Sequence, residues 1–405
     1  MTEEPPGWRA LLTRDGLDTL RWIAGERGAG RAASEINSSL RARGLPADQV
    51  AALLTQALLR EKARTKFGDR AEQFLFTQAG LEQATRSRVA ASHAERFRAA
   101  GCTRIADLGC GIGAESLALL EAGLDPLAVE LNPLTAEIAS HNLRVAAALL
   151  GRPEPEVQVG DAEQIGPEDA DGVFLDPARR TAGHSNTRRV SSPDDYSPSL
   201  TFAFHLASRL PTGIKLGPGF DRELIPDQAE AQWVSVDGQV VEMGLWFGAA
   251  ARPGVHRAAL VLNGATGSAE LTASEDSADA GLRELGEYLY EPDGAVIRAR
   301  LIGRLAADLN AGMLSDGIAY LTTDQLVPTP FAQVFRVVET LPSREKVLRR
   351  ALGDRGIGSL EIKKRGADVD PAALRKRLKL RGDNHATLFL TRSAGKHVAL
   401  LAERC

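Results

Sequence analysis

The sequence predicts an α/β fold with a largely parallel sheet, preceded by a helical region and followed by a region of α+β structure. Apolar residues recur at helical spacing up to about residue 100. From Thr103 to Leu216, short apolar runs alternate with helical stretches, which is the pattern of βαβ units. Beyond about residue 280, strand-like runs and helical runs are mixed, which indicates an α+β tail.

These changes of pattern divide the chain into four predicted parts. The parts are a helical N-terminal domain over 1–98, an α/β domain over 99–265, and smaller units over 280–330 and 331–405. Runs between 233 and 262 are expected to form an antiparallel edge that closes the sheet. The stretch 264–280 is small, polar and acidic, so we expect a linker there. Helical spacing predicts one helix over 295–309.

The composition is that of an ordinary globular protein, with 43% hydrophobic and 25% charged residues. No apolar run is long enough to cross a membrane, and the acidic N-terminus lacks the apolar core of a signal peptide. The three cysteines match no metal or redox motif and suit a reducing compartment. We therefore expect a cytoplasmic protein without a metal site or a membrane partner, and its oligomeric state stays open.

The charge is unevenly distributed along the chain. A net charge of −4 argues against attraction of the whole protein to nucleic acid. Between Arg355 and Arg381, however, nine basic residues stand against three acidic ones. This segment is a candidate anion-binding surface, and a solvated helix face is the alternative. The candidate substrate contacts in it are Lys363, Lys364, Arg365, Arg375 and Lys376.

A glycine-rich loop, Gly109-Cys110-Gly111-Ile112-Gly113, lies between the first predicted strand and the helix after it. Glycine allows turn geometries and close approach of the backbone to a ligand, and a helix N-terminus offers free N–H groups to an anion. The loop alone would also fit nicotinamide and flavin enzymes. We interpret Cys110 as a small loop residue rather than a reactive thiol.

Acidic residues at predicted strand ends narrow the choice of cofactor. Asp107 precedes the first glycine by two positions, where it can receive an ammonium group, which a dinucleotide lacks. Glu130 ends the second strand, where a carboxylate can take the ribose hydroxyls of either kind of cofactor. Asp161 ends the third strand, where an acid can accept from an adenine amino group, with capping of a turn as the alternative.

In this order, the motifs resemble those of the class I methyltransferases that use S-adenosyl-L-methionine. The matching segments are Asp107 to Gly113, Glu130, Asp161 and Asp176-Pro177-Ala178-Arg179, the last being similar to the motif that faces the substrate. The resemblance covers about residues 100–265. It implies a Rossmann-like sheet and S-adenosyl-L-methionine as cofactor, with the neighbouring Leu131, Asn132 and Ala162 as part of the cofactor site.

Most of the chain after the N-terminal helices is similar to bacterial methyltransferases with a C-terminal THUMP-like domain. The segments that carry this second resemblance are Asp176 to Arg180, Ile214 to Asp221, Tyr288 to Pro292, Leu360 to Gly366 and Leu374 to Leu378. It implies RNA as partner and substrate. It also implies a ferredoxin-like unit over about 280–330 and a THUMP-like domain over about 331–405.

The candidate catalytic residues are Asp176, Pro177 and Arg179. Methylases of amino nitrogens carry a second proline and an aromatic residue where this sequence has Ala178 and Arg179, which argues against an amino-group acceptor. Carbon-5 methylation of pyrimidines needs a cysteine near this motif, and none lies between Cys110 and Cys405.

The loop 181–198 is long and polar, as lids and binding elements often are. Together with Arg180 it supplies the candidate substrate residues Arg188, Arg189 and Tyr196, the last as a stacking platform, and a plain surface loop is the alternative. Lys215 ends the fifth predicted strand and is a candidate phosphate contact.

The predicted function is that of an RNA methyltransferase acting on a base. A methyltransferase of a protein or small molecule is one alternative. An RNA-binding protein that keeps the cofactor fold without turnover is another, and a nicotinamide oxidoreductase comes last.

Overall fold

The computed structural model describes residues 6–167, 169–179, 195–264 and 267–405. Within it the chain forms two compact units. The first consists of Met1–Leu216 and Leu245–Arg252, and the second of Gly217–Gly244 and Pro253–Cys405. Each unit is described by itself.

The first unit begins with helices, as the apolar spacing predicts. They are α1 (Arg14–Gly28), α2 (Ala33–Ala42), α3 (Ala47–Phe67), α4 (Gln78–Gln83) and α5 (Ser87–Ala99). The Thr13 side chain caps α1 by accepting a hydrogen bond from the Gly16 amide. Leu20, Ile36 and Leu53 belong to one buried core that joins the first three helices.

The rest of the first unit alternates strands and helices. The elements are β1 (Arg104–Leu108), α6 (Ala114–Glu121), β2 (Asp125–Glu130), α7 (Pro133–Leu150), β3 (Glu156–Val159), α8 (Ala162–Ile165), β4 (Gly172–Leu175), β5 (Ala178–Arg179), β6 (Tyr196–Ser197), α9 (Leu200–Ala207) and β7 (Thr212–Leu216). Five strands pair in parallel in the order β7-β4-β1-β2-β3. The strand order reverses between β1 and β4, where open α/β sheets bind ligands at the carboxyl ends of their strands.

The second unit begins with four strands. They are β8 (Glu230–Val236), β9 (Gln239–Phe247, whose last three residues belong to the first unit), β10 (Arg257–Asn263) and β11 (Gly267–Ala273). Asp237 and Gly238 join β8 to β9 with φ values of 50° and 79°, as a tight hairpin requires. The expectation of a wholly antiparallel edge is wrong, because β10 pairs in parallel with β8.

The predicted linker over 264–280 is also wrong in part, because β11 lies within it and pairs antiparallel with β10. Of its seven residues only Leu271 is buried. An outer strand with one buried side chain lacks the apolar alternation by which a strand is recognised in sequence, and backbone hydrogen bonds hold it in place.

The C-terminal part of the second unit is α+β, as predicted. Its elements are β12 (Tyr288–Pro292), α10 (Gly294–Arg298), α11 (Ile302–Asp308), β13 (Gly312–Ser315), β14 (Ile318–Thr323), β15 (Ala332–Leu341), α12 (Glu345–Asp354), β16 (Ile357–Lys364), α13 (Pro371–Leu378), β17 (Asn384–Ser393) and β18 (Lys396–Arg404). The strands form one sheet in the order β13-β14-β12-β15-β18-β17-β16. The predicted ferredoxin-like and THUMP-like parts therefore share one sheet, through the antiparallel pairing of β12 with β15.

Two helical predictions in this region need correction. The single helix expected over 295–309 is two helices, since Arg300 between them has a left-handed φ of 58°. Helix α12 was not predicted from the sequence. It buries Leu348 and Leu352, and most of its other residues are charged. No helix in the described ranges is long and apolar enough to cross a membrane.

Candidate active site

Asp107 lies at the carboxyl end of β1 and is only 1% exposed. The Ser116 hydroxyl donates a hydrogen bond of 2.5 Å to its carboxylate. Burial raises the pKa of Asp107 to about 7, and the nearby carboxylates of Glu115 and Asp176 act in the same direction, against the hydrogen bond from Ser116. A cation placed beside Asp107 would therefore relieve an unfavourable buried charge.

The glycine loop after β1 leaves open space on one side. Gly109, Gly111 and Gly113 have φ values of 92°, 56° and 87°, in the left-handed region that favours glycine. A Cβ added to Gly111 would meet no atom within 4 Å, and one on Gly109 would meet none closer than 3.9 Å. The Gly113 position faces Ala139 of α7 at 3.6 Å, so the third glycine serves close helix packing instead.

Glu130, at the end of β2, is held in a fixed orientation. Its carboxylate accepts hydrogen bonds from the Gly111 amide at 3.0 Å and from the Asn132 amide at 2.8 Å. Each carboxylate oxygen can accept more than one hydrogen bond, so capacity remains for ligand hydroxyls. The Asn132 side chain caps α7, and Leu131 between them is 63% exposed, which leaves an apolar side chain beside the carboxylate.

Asp161 is exposed and caps α8, because its carboxylate accepts a hydrogen bond of 3.0 Å from the Glu163 amide. The structure thus shows Asp161 in the capping role that the sequence analysis gave as the alternative. The Ala162 side chain is buried. Contact of Asp161 with an adenine amino group stays a prediction.

The cysteines of the first unit are buried thiols. Burial raises the pKa of Cys110 well above its ordinary value, with the Asp107 and Glu130 carboxylates acting in the same direction. Burial also raises the pKa of Cys102, to about 11. Neither thiol forms a thiolate at neutral pH, which agrees with the interpretation of Cys110 as a loop residue.

Asp176 follows β4, and its carboxylate lies 2.5 Å from the ammonium group of Lys215, near the end of β7. Lys215 also donates a 3.0 Å hydrogen bond to the Thr85 hydroxyl, and its side chain is only 14% exposed. The prediction that Lys215 contacts a substrate phosphate is not favoured, because its charge is paired with Asp176. The structure instead makes it a partner of the candidate catalytic carboxylate.

Lys215 contacts a buried group of polar side chains that the sequence did not predict. Glu115, in the first turn of α6, hydrogen-bonds to Thr85 and lies 3.1 Å from the imidazole of His93. Burial alone would raise the pKa of Glu115, but His93, Lys215 and Thr85 together hold it below its ordinary value. The available signal was a polar His93 on an otherwise apolar face of α5, beside Val89, Ala90 and Phe97.

The structure places two further residues of the substrate motif. Pro177 is buried, and Arg179 of β5 pairs with Tyr196 of β6. The Tyr196 side chain is only 3% exposed, which does not favour the predicted role as a stacking platform. Arg180, Arg188 and Arg189 lie outside the described residues.

The predicted basic segment of the C-terminal unit separates into two groups. Lys363 lies 2.5 Å from Glu291, while Arg365 lies 3.9 Å from Glu291 and stacks over the Tyr320 ring. Both cations therefore interact with an acid of the same unit, and the prediction that both contact substrate is not favoured. Lys364, Arg375 and Lys376 are exposed, although Arg375 also donates to the Leu360 carbonyl.

Helix α12 adds basic residues that the sequence reading missed. Helices α12 and α13 pack through one buried cluster that includes Leu348 and Leu374, and Arg377 of α13 donates hydrogen bonds to Glu345 of α12. Their exposed cations form what we call the basic helix face: Arg344, Lys346, Arg349, Arg350, Arg375, Lys376 and Arg377.

The parallel sheet, the glycine loop after β1 and the acidic residues after four strands define the class I methyltransferase fold. The chain is 34% identical over 354 residues to an uncharacterised S-adenosylmethionine-dependent methyltransferase of Mycobacterium tuberculosis, found in strains CDC 1551 and H37Rv. This match covers 85% of the chain and 93% of the relative. The chain therefore belongs to the S-adenosylmethionine-dependent methyltransferases, and S-adenosyl-L-methionine is its cofactor.

Two further comparisons describe its parts. Residues 332–404 match the family described as THUMP domain-like, and residues 5–63 match a domain of unknown function (DUF8688). A candidate methyltransferase from Porphyromonas gingivalis W83 has a crystal structure with the same fold, at a TM-score of 0.74 and 23% identity. That comparison covers 96% of this chain and 98% of the other.

Proposed function

We propose that this methyltransferase transfers a methyl group to a base in RNA, with Asp176 in contact with the acceptor. The observation that carries the proposal is the basic helix face, which lies within the residues that match the THUMP domain-like family. The resemblance noted in the sequence implies RNA as the partner of such a domain. Exposed lysine and arginine side chains bind the phosphate backbone of nucleic acid by displacing counterions.

The cofactor cleft fits S-adenosyl-L-methionine on observations within the first unit. Asp107 offers a buried carboxylate to an ammonium group, Glu130 a fixed carboxylate to ribose hydroxyls, and Leu131 an exposed apolar side chain to the adenine ring. The open side of the glycine loop provides room for the ligand backbone. When bound, the cofactor supplies an electrophilic sulfonium methyl group.

Asp176 and Lys215 act on the acceptor side of the reaction. An acceptor N–H of the base that receives the methyl group must give up its proton, and the Asp176 carboxylate is placed to accept it. Before transfer, the Asp176 carboxylate accepts a hydrogen bond from that N–H and so orients the acceptor nitrogen. The ammonium of Lys215, 2.5 Å away, stabilises the ionised form and fixes its direction.

The proposed acceptor is tested by transfer of labelled methyl from S-adenosyl-L-methionine to RNA of a deletion strain, followed by nucleoside mass spectrometry. Labelled nucleosides that are absent when wild-type RNA is used would support the proposal. Transfer of label to protein or to a small molecule, with none to RNA, would overturn it.

Replacing Lys346 and Arg349 by alanine is expected to weaken RNA binding and to reduce its dependence on salt. Each lost phosphate contact removes about 0.7 to 0.9 from the slope of log K against log salt, so the double variant should lose about 1.5. Filter binding across a salt series measures this slope. The matched control replaces Arg304 and Arg336, exposed arginines that pair with Asp308 and Glu403. Equal slopes for the two double variants would contradict the assignment.

Cofactor affinity is expected to rise with pH because only ionised Asp107 pairs with an ammonium group. The pKa of Asp107 in the cofactor-free protein is about 7. Below this pKa a proton must be displaced on binding, so affinity for S-adenosylhomocysteine should fall by up to about tenfold per pH unit. Calorimetric titrations between about pH 6 and 7.5 measure the effect. The Asp107→Asn variant should show a flat profile, and an equally steep one in this variant would assign the titration to another group.

A further inference from the structure

Helices α1 and α3 border a cavity of about 660 Å³ in the N-terminal helical part of the first unit. Its volume falls in the range of about 300 to 1,000 Å³ that is common for small-molecule sites. Every lining residue comes from the segment between Leu20 and Glu72, so the cavity is separate from the cofactor cleft at the ends of β1, β2 and β4. The match to a domain of unknown function covers residues 5–63 and assigns no ligand.

Arg60 of α3 lines this cavity although its residue is only 7% exposed. Its Nε donates a hydrogen bond of 2.8 Å to the Phe74 carbonyl, and among the described residues this is its one hydrogen bond. Within the same ranges no carboxylate lies at ion-pair distance from it. Burial lowers the pKa of Arg60 to about 10, so the guanidinium is still charged at neutral pH. The structure thus places a charged guanidinium at the cavity wall, and within the described residues its Nη groups form no hydrogen bond, which leaves them able to bind an anion.

The other arginines of the lining are paired with acids. Five arginines and two glutamates line the cavity. Arg27 pairs with Glu61 and Arg64 pairs with Glu72. Arg21 pairs with Asp18, and Arg31 pairs with Glu26 and Glu35. Among the described residues, Arg60 is therefore the lining arginine with no acid at ion-pair distance, so the charged group of an anionic ligand would bind there.

The uncharged part of the wall is small and apolar. Leu20, Ala24 and Ala57 contribute to it together with glycines. A Cβ added to Gly25 or to Gly28 would meet no atom within 4 Å, so these positions leave space for a ligand. A ligand with an anionic end and a flat ring would match both parts of the cavity.

We propose that this cavity binds a nucleoside monophosphate, with the phosphate on Arg60 and the base against Leu20, Ala24 and Ala57. A terminal phosphate can enter end-on and reach a guanidinium that is nine-tenths buried, whereas a phosphate inside a nucleic-acid chain is flanked by sugars on both sides. The monoester comes either from a free nucleotide or from the 5′ end of an RNA. Binding is measured without methyl transfer, so the proposal stands apart from the choice of acceptor.

The test uses the full chain saturated with S-adenosylhomocysteine, which keeps nucleotides out of the cofactor cleft. Uridine and guanosine 5′-monophosphate, the unphosphorylated nucleosides, and short RNAs with a 5′-phosphate or a 5′-hydroxyl are titrated by calorimetry. We expect saturable binding of the monophosphates and at least tenfold weaker binding of the nucleosides, since a charge-assisted hydrogen bond contributes about 1.5 to 3 kcal/mol. Preference for the 5′-phosphorylated RNA over the free nucleotide identifies an RNA end as the source, and the reverse preference identifies the free nucleotide.

Two variants locate the site. Arg60→Met should weaken monophosphate binding by about tenfold or more. Gly25→Leu should do the same by filling the cavity, and it leaves the Arg60 hydrogen bond intact, so it decides the matter if Arg60→Met fails to fold. Arg98→Met, on an exposed part of α5, is the charge-matched control and should bind normally. Absence of saturable monophosphate binding, or unchanged binding by folded Gly25→Leu, would overturn the proposal.

Discussion

Replacing Asp107 by asparagine is expected to weaken the binding of S-adenosylhomocysteine by about 100-fold while the protein stays folded. The variant removes the negative charge that faces the ligand ammonium in a site that is only 1% exposed. Loss of a buried charge pair costs about 3 kcal/mol, which corresponds to a factor of about 100 in the dissociation constant. Calorimetric titration of the purified variant measures this loss directly.

The same substitution should not destabilise the cofactor-free protein. The Ser116 hydroxyl can donate to the amide oxygen as it does to the carboxylate. The pKa of Asp107 is about 7 in the folded chain and near 4 in the unfolded chain, so its ionisation lowers stability as pH rises between these values. Asparagine abolishes that loss, and thermal unfolding at neutral pH should show a midpoint at or above that of the wild type.

Asp125→Asn is the matched control, since Asp125 begins β2 at the opposite end of the sheet and pairs with Arg104 on the surface. It should bind S-adenosylhomocysteine like the wild type. If Asp107→Asn bound within about threefold of the control, which is under 1 kcal/mol, the assignment of Asp107 to the ammonium group would be wrong.

The cofactor side of this protein was predictable because it depends on local patterns. Alternating apolar runs and helical spacing give the five parallel strands, and each strand end then fixes where Asp107, Glu130 and Asp176 lie. Gly109 and Gly111 have left-handed φ values, and glycine is the residue that adopts these at least cost. These inferences need no knowledge of which distant residues meet.

The acceptor side depends on contacts between distant parts of the chain, and the sequence could not supply them. Lys215 meets Thr85, which is 130 residues away, and Lys363 meets Glu291, which is 72 residues away. A count of basic residues does not reveal which cations are neutralised by such partners. Lys363 and Arg365 were therefore wrongly expected to be free for a substrate. The cations of α12 were overlooked because this helix precedes the predicted basic segment, which begins at Arg355.

The buried polar side chains that link Lys215 to His93 influence the ionisation of the acids on the acceptor side. The carboxylates of Glu115 and Asp176 are close enough to Asp107 to raise its pKa, so three acids lie near one another. Lys215 contacts Asp176 and also lowers the pKa of Glu115. Its removal should therefore favour protonation of Asp176 and Glu115.

Replacing Lys215 by methionine is expected to reduce kcat by about 100-fold at neutral pH, with S-adenosylhomocysteine binding changed by less than about threefold. Without the ammonium at 2.5 Å, Asp176 binds a proton more readily and loses its orientation. The acidic limb of the kcat profile should therefore move to higher pH. Methyl transfer from saturating S-adenosyl-L-methionine to the RNA identified by the labelling experiment, measured across pH, gives both quantities.

Lys215→Arg separates the electrostatic role from a structural one. Arginine keeps the positive charge near Asp176, so it should restore the position of the acidic limb even where its different shape lowers kcat. Thr85→Val removes the hydroxyl that receives the Lys215 hydrogen bond and keeps the charge, so it should leave the limb near its wild-type position. An acidic limb that stays unmoved in Lys215→Met would mean that Lys215 merely supports the fold, and Asp176 would then need another group to keep it ionised.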